Sequence, residues 1–238
     1  MISFRPMHVS PRPSEERGQT RLAWLDSQHA FAFGDYRDPD WPGFRGLRVL
    51  NEDVVAPGRG FGPHPHRHAE ILSFVLAGAL RHEDSLGARS EIHAGEVQAM
   101  SAGPGVVHAE WNASDREPVH FVQVWLLPDR PVATPAFAHA TPGWRAHHGL
   151  TLVASPDARD GSLPIHADAS VYAGRLAAGE GLEFAVGAGR AVWVQGLAGS
   201  LTVANRTIDA GDALGIEAID TVSVQAREDA EFLLFDLA

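Results

Sequence analysis

The chain has 238 residues, of which 45% are hydrophobic and 21% charged, a composition typical of globular proteins with a substantial core. It contains no cysteine, and all 19 of its basic residues are arginine. Disulfide frameworks, thiolate metal sites, cysteine nucleophiles and lysine Schiff bases are therefore excluded. The formal net charge of −11 argues against direct binding to nucleic acid, because an acidic surface repels phosphate.

No apolar run approaches the length of a transmembrane helix, and the first eight residues lack the apolar centre of a signal peptide. We therefore expect a cytoplasmic protein that makes no membrane contact.

Short apolar runs separated by glycine and proline predict β-strands joined by turns. The predicted strands, in chain order, are Leu47–Leu50, Glu70–Leu76, Val97–Met100, Val119–Leu126, Val171–Leu176, Val192–Leu197, Leu201–Val203 and Glu231–Leu237. Long helical periodicity is absent from the sequence. The predicted class is all-β, with sandwiches or barrels.

The sequence predicts two halves that repeat one architecture. A proline-rich stretch after Pro128 suggests a linker over residues 131–149, between an N-terminal domain of residues 1–130 and a C-terminal domain of residues 150–238. Leu76–Leu80 resembles Leu197–Leu201, and Ala94-Gly95-Glu96 resembles Ala210-Gly211-Asp212 in the same order. These echoes indicate two related β-barrels in tandem, although chance similarity in a Gly/Ala-rich sequence is the alternative.

Two short motifs carry the candidate chemistry. His64 and His66 alternate along one predicted strand, and His108 and Glu110 alternate along another. Residues i and i+2 of a strand project to one face, so each pair presents two donors together. If the two strands face one another, three imidazoles and one carboxylate meet at a site suited to a divalent transition metal. A solvated edge strand is the alternative explanation for paired histidines.

The wider pattern resembles a known family. The spacing of glycine, histidine and glutamate from Gly58 to Gly78, and from Gly95 to Asn112, resembles the two cupin motifs. The segments HPHRHAE, MSAGPGVVHAEWN and WLDSQHAFAFGDYRDP resemble the pirin family more closely, and the run Ser155–Leu163 is similar to bacterial pirin-like proteins with quercetinase activity.

This resemblance implies a bicupin of two antiparallel jelly-roll barrels, face to face, with one metal in the N-terminal barrel. Its ligands would be His64, His66, His108 and Glu110. General cupins use the glutamate of the first motif, here Glu70, which could also share the ligand face if its strand is regular. The resemblance to pirins instead implies Glu110, at i+2 from His108. His68 departs from the pirin pattern and is expected either at the surface after a bend or supporting the ligands from behind.

The second half has lost these ligands in our alignment of the two repeats. Matching the repeated glycines places Ala185, Gly187, Val224 and Ala226 opposite the four predicted ligands. His166 and Asp168 form an isolated pair that we expect at the surface. One metal per chain follows, with Fe(II) preferred and Mn, Ni, Cu, Co or Zn as alternatives.

The resemblance further implies a quercetin 2,3-dioxygenase activity, in which a flavonol reacts with O2 and its heterocycle opens with loss of carbon monoxide. Glu110 is the candidate catalytic residue, as acceptor of the flavonol hydroxyl proton. Five aromatic residues near the motifs would line a flat pocket or fill the barrel core: Phe61, Phe74, Trp111, Phe121 and Trp125.

Two other functions stay open from the sequence. A regulatory module, in which the metal controls a surface that binds a protein partner, is the main alternative, and a cupin without turnover is the third. A monomer is expected in every case.

Overall fold

The computed structural model describes residues 7–238, and this part of the chain is built from strands with three short 3-10 turns, at Ser14–Glu16, Trp144–Ala146 and Arg159–Gly161. All eight predicted strands lie within observed strands, and Val119–Leu126 matches at both ends. The all-β prediction is therefore confirmed. Within the described residues, no helix has the length and apolar character needed to cross a membrane. The first six residues, part of the segment expected to lack a signal peptide, lie outside the described range.

The chain forms two compact units. We call residues 18–143 and 154–168 the N-terminal unit, and residues 7–17, 144–153 and 169–238 the C-terminal unit.

The N-terminal unit consists of a larger and a smaller antiparallel sheet. Their strands are β2 (Gly18–Arg21), β3 (Leu25–His29), β4 (Leu47–Val55), β5 (Gly60–His66), β6 (Glu70–Ala77), β7 (Ala79–Asp84), β8 (Arg89–His93), β9 (Val97–Ser101), β10 (Val106–Asn112), β11 (Val119–Leu126) and β12 (Ala136–Ala140). Outside these two sheets, the short β14 (Leu163–Pro164) pairs in parallel with Ala154 and Ser155. The larger sheet has the order β12-β9-β6-β11-β4-β3-β2, and the smaller has the order β5-β10-β7-β8. A hydrophobic core drawn from both sheets includes Leu25, Val55, Leu80, Ile92 and Phe121.

The C-terminal unit repeats this arrangement. Its strands are β1 (His8–Arg12), β13 (Gly149–Ser155), β15 (Ala169–Leu176), β16 (Gly181–Ala185), β17 (Ala191–Ala198), β18 (Ser200–Val203), β19 (Arg206–Asp209), β20 (Ala213–Glu217), β21 (Thr221–Ala226) and β22 (Ala230–Leu237). The larger sheet contains the order β1-β20-β17-β22-β15-β13, and the smaller has the order β16-β21-β18-β19. The corresponding strand orders show that the sequence echoes mark one architecture built twice.

The repeated glycines have a steric cause. Gly78 and Gly199 both adopt positive φ, at 76° and 69°, in the turns that follow β6 and β17. A Cβ at Gly78 would collide with the carbonyl oxygen of Pro118, and one at Gly199 with that of Asp229. Only glycine fits a turn that has both a left-handed backbone and a carbonyl against its Cα.

The compact units depart from the predicted ranges of 1–130, 131–149 and 150–238. Residues 7–17 carry β1, which pairs with β20 in the C-terminal unit. The predicted linker contains β12, whose residues pair along the whole of β9 in the N-terminal unit. Each of these strands covers the edge of a larger sheet, which protects backbone groups that would otherwise be unpaired. The stretch predicted as a linker therefore also supplies an edge strand to the N-terminal unit.

Candidate metal centre

Three of the predicted ligands converge. β5 and β10 are antiparallel, and His108 lies directly opposite His64 in their register. The ring centroids of His64, His66 and His108 lie 4.5–4.7 Å apart. One nitrogen from each ring lies within 4.8 Å of the other two. Alternation along β5 and a cross-strand pair with β10 thus place three imidazoles around one point.

The free nitrogens of these rings fit a cation. The Nε2 atoms of His66 and His108 are buried and have no hydrogen-bond partner among residues 7–238. His64 donates through Nδ1 to the carbonyl oxygen of Gly62 at 2.8 Å, which leaves its Nε2 as the electron-pair donor. A buried imidazole nitrogen without a partner costs about 1–3 kcal/mol, and a metal ion would supply the missing partner.

Burial keeps the rings of His66 and His108 neutral by lowering their pKa values. Burial, followed by the neighbouring His64, lowers the pKa of His66 to about 4. Burial, followed by His64, His66 and His82, lowers the pKa of His108 to about 2. Only the neutral imidazole binds a metal, so both rings are ready to coordinate at neutral pH without first losing a proton.

Glu110, the fourth predicted ligand, lies next to His108 but outside the cluster of three imidazoles. The register of β10 against β5 shifts between His108 and Glu110, and such a bulge re-aims the next side chain. The Glu110 carboxylate therefore clusters with His108 and His82, their ligand atoms lying within 4.8 Å of one another. His108 belongs to both clusters and links the carboxylate to the other imidazoles.

The larger sheet holds the Glu110 carboxylate from the opposite side. Gln98 donates to Oε1 at 2.7 Å, Ser73 donates to the same oxygen at 3.3 Å, and Gln123 donates to Oε2 at 2.5 Å. Burial raises the pKa of Glu110, whereas His82, the hydrogen bond from Gln123, His64 and the hydrogen bond from Ser73 lower it. A cation at the imidazoles would offset the cost of burying the ionised carboxylate.

These donors belong to a row of polar residues that the sequence analysis missed. Directly paired positions on β3, β4, β11, β6 and β9 carry, in order, His29, Asn51, Gln123, Ser73 and Gln98. All five are buried. Ser73 and Gln123 each interrupt a face of a strand that is otherwise apolar, and that interruption is the sequence signal that could have revealed the row.

A second missed feature is a histidine behind His108. Nδ1 of His82 lies 3.4 Å from Nδ1 of His108, and Nε2 of His82 lies 3.2 Å from Oδ2 of Asp84. If His108 presents Nε2 to a metal, its proton is on Nδ1 and is donated to His82, which in turn donates to Asp84. The His82 ring also stacks on Phe137, with centroids 4.2 Å apart. The His-x-Asp spacing on β7 was the available signal.

Glu70, His166 and His68, also considered in the sequence analysis, lie outside the two ligand clusters. The Glu70 carboxylate accepts a hydrogen bond from Ser101 at 2.6 Å and lies 3.6 Å from His166, away from both ligand clusters. His166, expected at the surface, is instead half-buried in this contact. His68 is exposed at a positive φ of 53° in the turn after β5, which agrees with the surface alternative.

In the C-terminal unit, Val224 and Ala226 are buried, but Ala185 and Gly187 are exposed. On β16 the residues that pack against the core are Leu182 and Phe184. The glycine alignment was therefore wrong on β16. It was also wrong on β21, because Val203 pairs with Val224 as His82 pairs with Glu110, so Val224 corresponds to Glu110 and not to His108. Within residues 7–238, both clusters suited to a metal lie in the N-terminal unit.

A pocket opens onto the imidazoles. It has a volume of about 410 Å³ and is lined by His64, His66 and Glu110 together with Trp24, Phe33, Phe61 and Trp125. Its polar lining includes Ser27, Asp53 and three members of the polar row. Of the five predicted aromatics, Phe61 and Trp125 line the pocket, Phe74 and Phe121 are core residues, and Trp111 is half-buried outside it. A largely apolar pocket with a few convergent polar groups is typical of small-molecule sites.

Comparison with known families covers most of the chain. The pirin family profile matches residues 11–126, and a profile described as the quercetinase C-terminal cupin domain matches residues 152–237.

Individual relatives match over nearly their whole length. The chain is 42% identical to the quercetin 2,3-dioxygenase of Escherichia coli K12, over 95% of this chain and 97% of that protein. It is 35% identical to a pirin-like protein of Caulobacter vibrioides, over 97% of this chain and all of that protein.

Solved structures agree. The crystal structure of the bacterial pirin YhhW of Escherichia coli in complex with nickel(II) superposes with a TM-score of 0.93 at 42% identity, covering 97% of this chain and 99% of that one. A second crystal structure of YhhW from Escherichia coli gives a TM-score of 0.94, over 97% of this chain and 98% of that one. These matches confirm the bicupin architecture expected from the motifs. The chain belongs to the pirin family.

Proposed function

We propose that this protein is a metal-dependent dioxygenase of quercetin-like flavonols, with its metal bound by His64, His66, His108 and Glu110. The observation that carries the proposal is the pair of buried, unpartnered imidazole nitrogens beside an aromatic-walled pocket. The name of the Escherichia coli relative, quercetin 2,3-dioxygenase, supports the substrate class.

The donor set supports a borderline divalent ion. Imidazole and carboxylate ligands suit Fe(II), Mn, Co, Ni, Cu and Zn, and Fe(II) is our choice because such sites with open positions serve in O2 chemistry. The related YhhW was crystallised with nickel(II), which makes Ni(II) the first alternative to compare. When bound, the cation supplies positive charge that stabilises an ionised substrate hydroxyl. One metal per chain and a monomer complete the proposal.

The residues of the pocket have separate tasks. Trp24, Phe61 and Trp125 offer apolar surface to the flat rings of the substrate. His29 and Asn51 offer polar atoms that orient substrate hydroxyls, and they are themselves fixed by a 2.9 Å hydrogen bond. The half-enclosed pocket removes water from the reacting edge of the flavonol, which strengthens the electrostatic interactions there. The sequence analysis assigns acceptance of the substrate proton to Glu110; under that assignment, Glu110→Gln would reduce turnover more than metal content.

The test is anaerobic loading of chelator-treated protein with Fe(II), or separately with Ni(II), followed by measurement of O2 uptake and carbon monoxide release with and without quercetin. We expect quercetin-dependent uptake that is lost in His66→Ala. His68→Ala is the matched control, because His68 is exposed two residues away. Full metal occupancy without O2 uptake, combined with metal-dependent capture of a protein, would favour the regulatory alternative instead.

A further inference from the structure

If the protein is a flavonol dioxygenase, as proposed above, ionisation of the bound flavonol requires a group that takes the hydroxyl proton. The sequence analysis assigned that task to Glu110. In the structure, Glu110 accepts hydrogen bonds from Gln98, Ser73 and Gln123, which together occupy both of its oxygens. A carboxylate held this firmly is well suited to coordinate a metal and poorly suited to turn towards a substrate proton.

Asp53 is a second buried carboxyl group on the wall of the same pocket. It lies on β4, two residues from Asn51 of the polar row, and its side chain lines the pocket together with His64, His66 and Glu110. The residue is only 4% exposed. Its Oδ1 atom has no hydrogen-bond partner among residues 7–238.

The neighbours of Asp53 hold its side chain in place but leave Oδ1 without a hydrogen bond. The Ser27 hydroxyl, paired with Asp53 across β3 and β4, donates a hydrogen bond to the carboxyl group. The residue on the other side, Phe121, is apolar and fully buried. A buried carboxyl oxygen without a donor is costly for folding alone, so a ligand that brings its own hydroxyl would supply the missing partner.

We propose that Asp53, and not Glu110, is the catalytic residue that accepts the proton of the substrate hydroxyl. The substrate O–H bond breaks and its electron pair stays on the flavonol oxygen. The new O–H bond forms at Asp53 Oδ1. Net charge within the site is unchanged, because one carboxylate is neutralised as one flavonol anion forms.

The charges around Asp53 suit this task. Burial raises its pKa to about 7, and the hydrogen bond from Ser27 opposes that shift. Glu110 on β10 and Glu52 on the same strand raise the pKa further, while His120 on β11 lowers it. Glu52 and His120 form their own contact at 3.0 Å, which moderates the influence of both. A proton acceptor works best when its pKa lies near the working pH.

The experiment combines a spectrum with a proton count. Quercetin is added anaerobically at pH 8 to protein loaded with Fe(II), so that no turnover occurs. The red-shifted absorption of the flavonol anion reports ionisation. Calorimetry in buffers of different ionisation enthalpy reports whether a proton is released to solvent. We expect the wild-type protein to ionise quercetin without net proton release, because Asp53 retains the proton.

The variant Asp53→Asn should bind the same amount of metal, and should either leave quercetin neutral or release one proton to the buffer as it ionises. Its turnover should fall by about 100-fold or more, the lower range for loss of a general base. Asp26→Asn is the matched control, since it removes an exposed carboxylate beside Ser27 on β3 that does not line the pocket. That variant should behave as wild type.

The outcomes separate the two proposals. If the wild-type protein turns over quercetin but releases one proton on binding, or if Asp53→Asn matches wild type in both readouts, Asp53 is not the acceptor and the proposed function survives. If Glu110→Gln abolishes ionisation at full metal occupancy while Asp53→Asn does not, the acceptor is Glu110. If the loaded wild-type protein neither ionises quercetin nor consumes O2, both proposals are overturned.

Discussion

The interiors of the two units differ at corresponding positions of one backbone pattern. In the N-terminal unit, paired positions on β4, β11, β6 and β9 carry a polar row of Asn51, Gln123, Ser73 and Gln98. In the C-terminal unit, the paired positions on β15, β22, β17 and β20 carry Tyr172, Leu234, Val194 and Leu214. The last three are fully buried members of the C-terminal core, and Tyr172 packs against it.

The same contrast appears beside Asp53. The corresponding pair in the C-terminal unit is Gly174 and Phe232, where a Cβ on the glycine would collide with the phenyl ring. In the N-terminal barrel this place holds a carboxyl group and a pocket. In the C-terminal barrel a phenyl ring and closely packed aliphatic side chains fill it. The fold needs none of the polar residues, so their presence in one copy indicates a function grafted onto a shared scaffold.

The largest expected effect concerns the ligands that the C-terminal unit lacks. His108→Ala removes the residue common to both clusters, and we expect metal affinity to fall by well over the roughly 100-fold upper range seen when a supporting residue is lost. Elemental analysis after dialysis against limiting metal measures this. The control His68→Ala should keep full occupancy, and an equal loss in both variants would contradict the assignment.

Asp53, whose counterpart in the C-terminal unit is Gly174, should make the free energy of unfolding depend on pH. Its pKa in the folded, metal-free protein is raised from 3.8 to about 7, so the folded state binds a proton more tightly than the unfolded chain. This stabilisation is complete below pH 4 and is lost as pH rises to 7, by up to about 4 kcal/mol. Asp53→Asn should therefore be more stable than wild type at pH 8, and the difference should shrink towards pH 4.

Urea unfolding of the chelator-treated proteins at several pH values measures that difference. Asp26→Asn serves again as the control, because Asp26 is exposed. A difference between Asp53→Asn and wild type that stays constant from pH 4 to 8 would show that the carboxyl group is not perturbed by burial.

Exchanging residues between the polar row and the corresponding apolar positions of the C-terminal unit tests whether the difference between the two interiors matters for metal binding. Leu234→Gln places an amide in an apolar core and should destabilise the protein by about 3 kcal/mol without changing metal content. The reverse change at the corresponding position, Gln123→Leu, removes a donor to Glu110 and should lower metal affinity with a smaller loss of stability. Unfolding midpoints and metal titrations of both variants provide the test, and tolerance of Leu234→Gln would mean that this core has room for polar groups.

The sequence predicted much of this arrangement because alternation and turn glycines are local signals. His64, His66 and His108 were predicted from i, i+2 spacing and do meet, and the all-β repeat followed from short apolar runs and repeated glycines. The sequence did not reveal the polar row, because Ser73 and Gln123 become neighbours only through the register between β6 and β11. Nor did it predict that β1 would join the C-terminal unit, since edge pairing depends on which sheet edge is free.

The smallest expected effect concerns His82, which contacts no substrate and acts through His108. Its contacts at 3.4 Å to His108 and 3.2 Å to Asp84 fix the tautomer and orientation of the ligand ring. Asp84 is itself anchored by the backbone N–H groups of Leu86 and Ala88. His82→Ala should weaken metal binding by about 10–100-fold, the range for residues that orient a metal ligand. Glu83→Gln, exposed between them, should leave metal affinity unchanged. Equal affinities for His82→Ala and wild type, measured by competition with a chelator, would show that stacking and strand pairing alone hold His108.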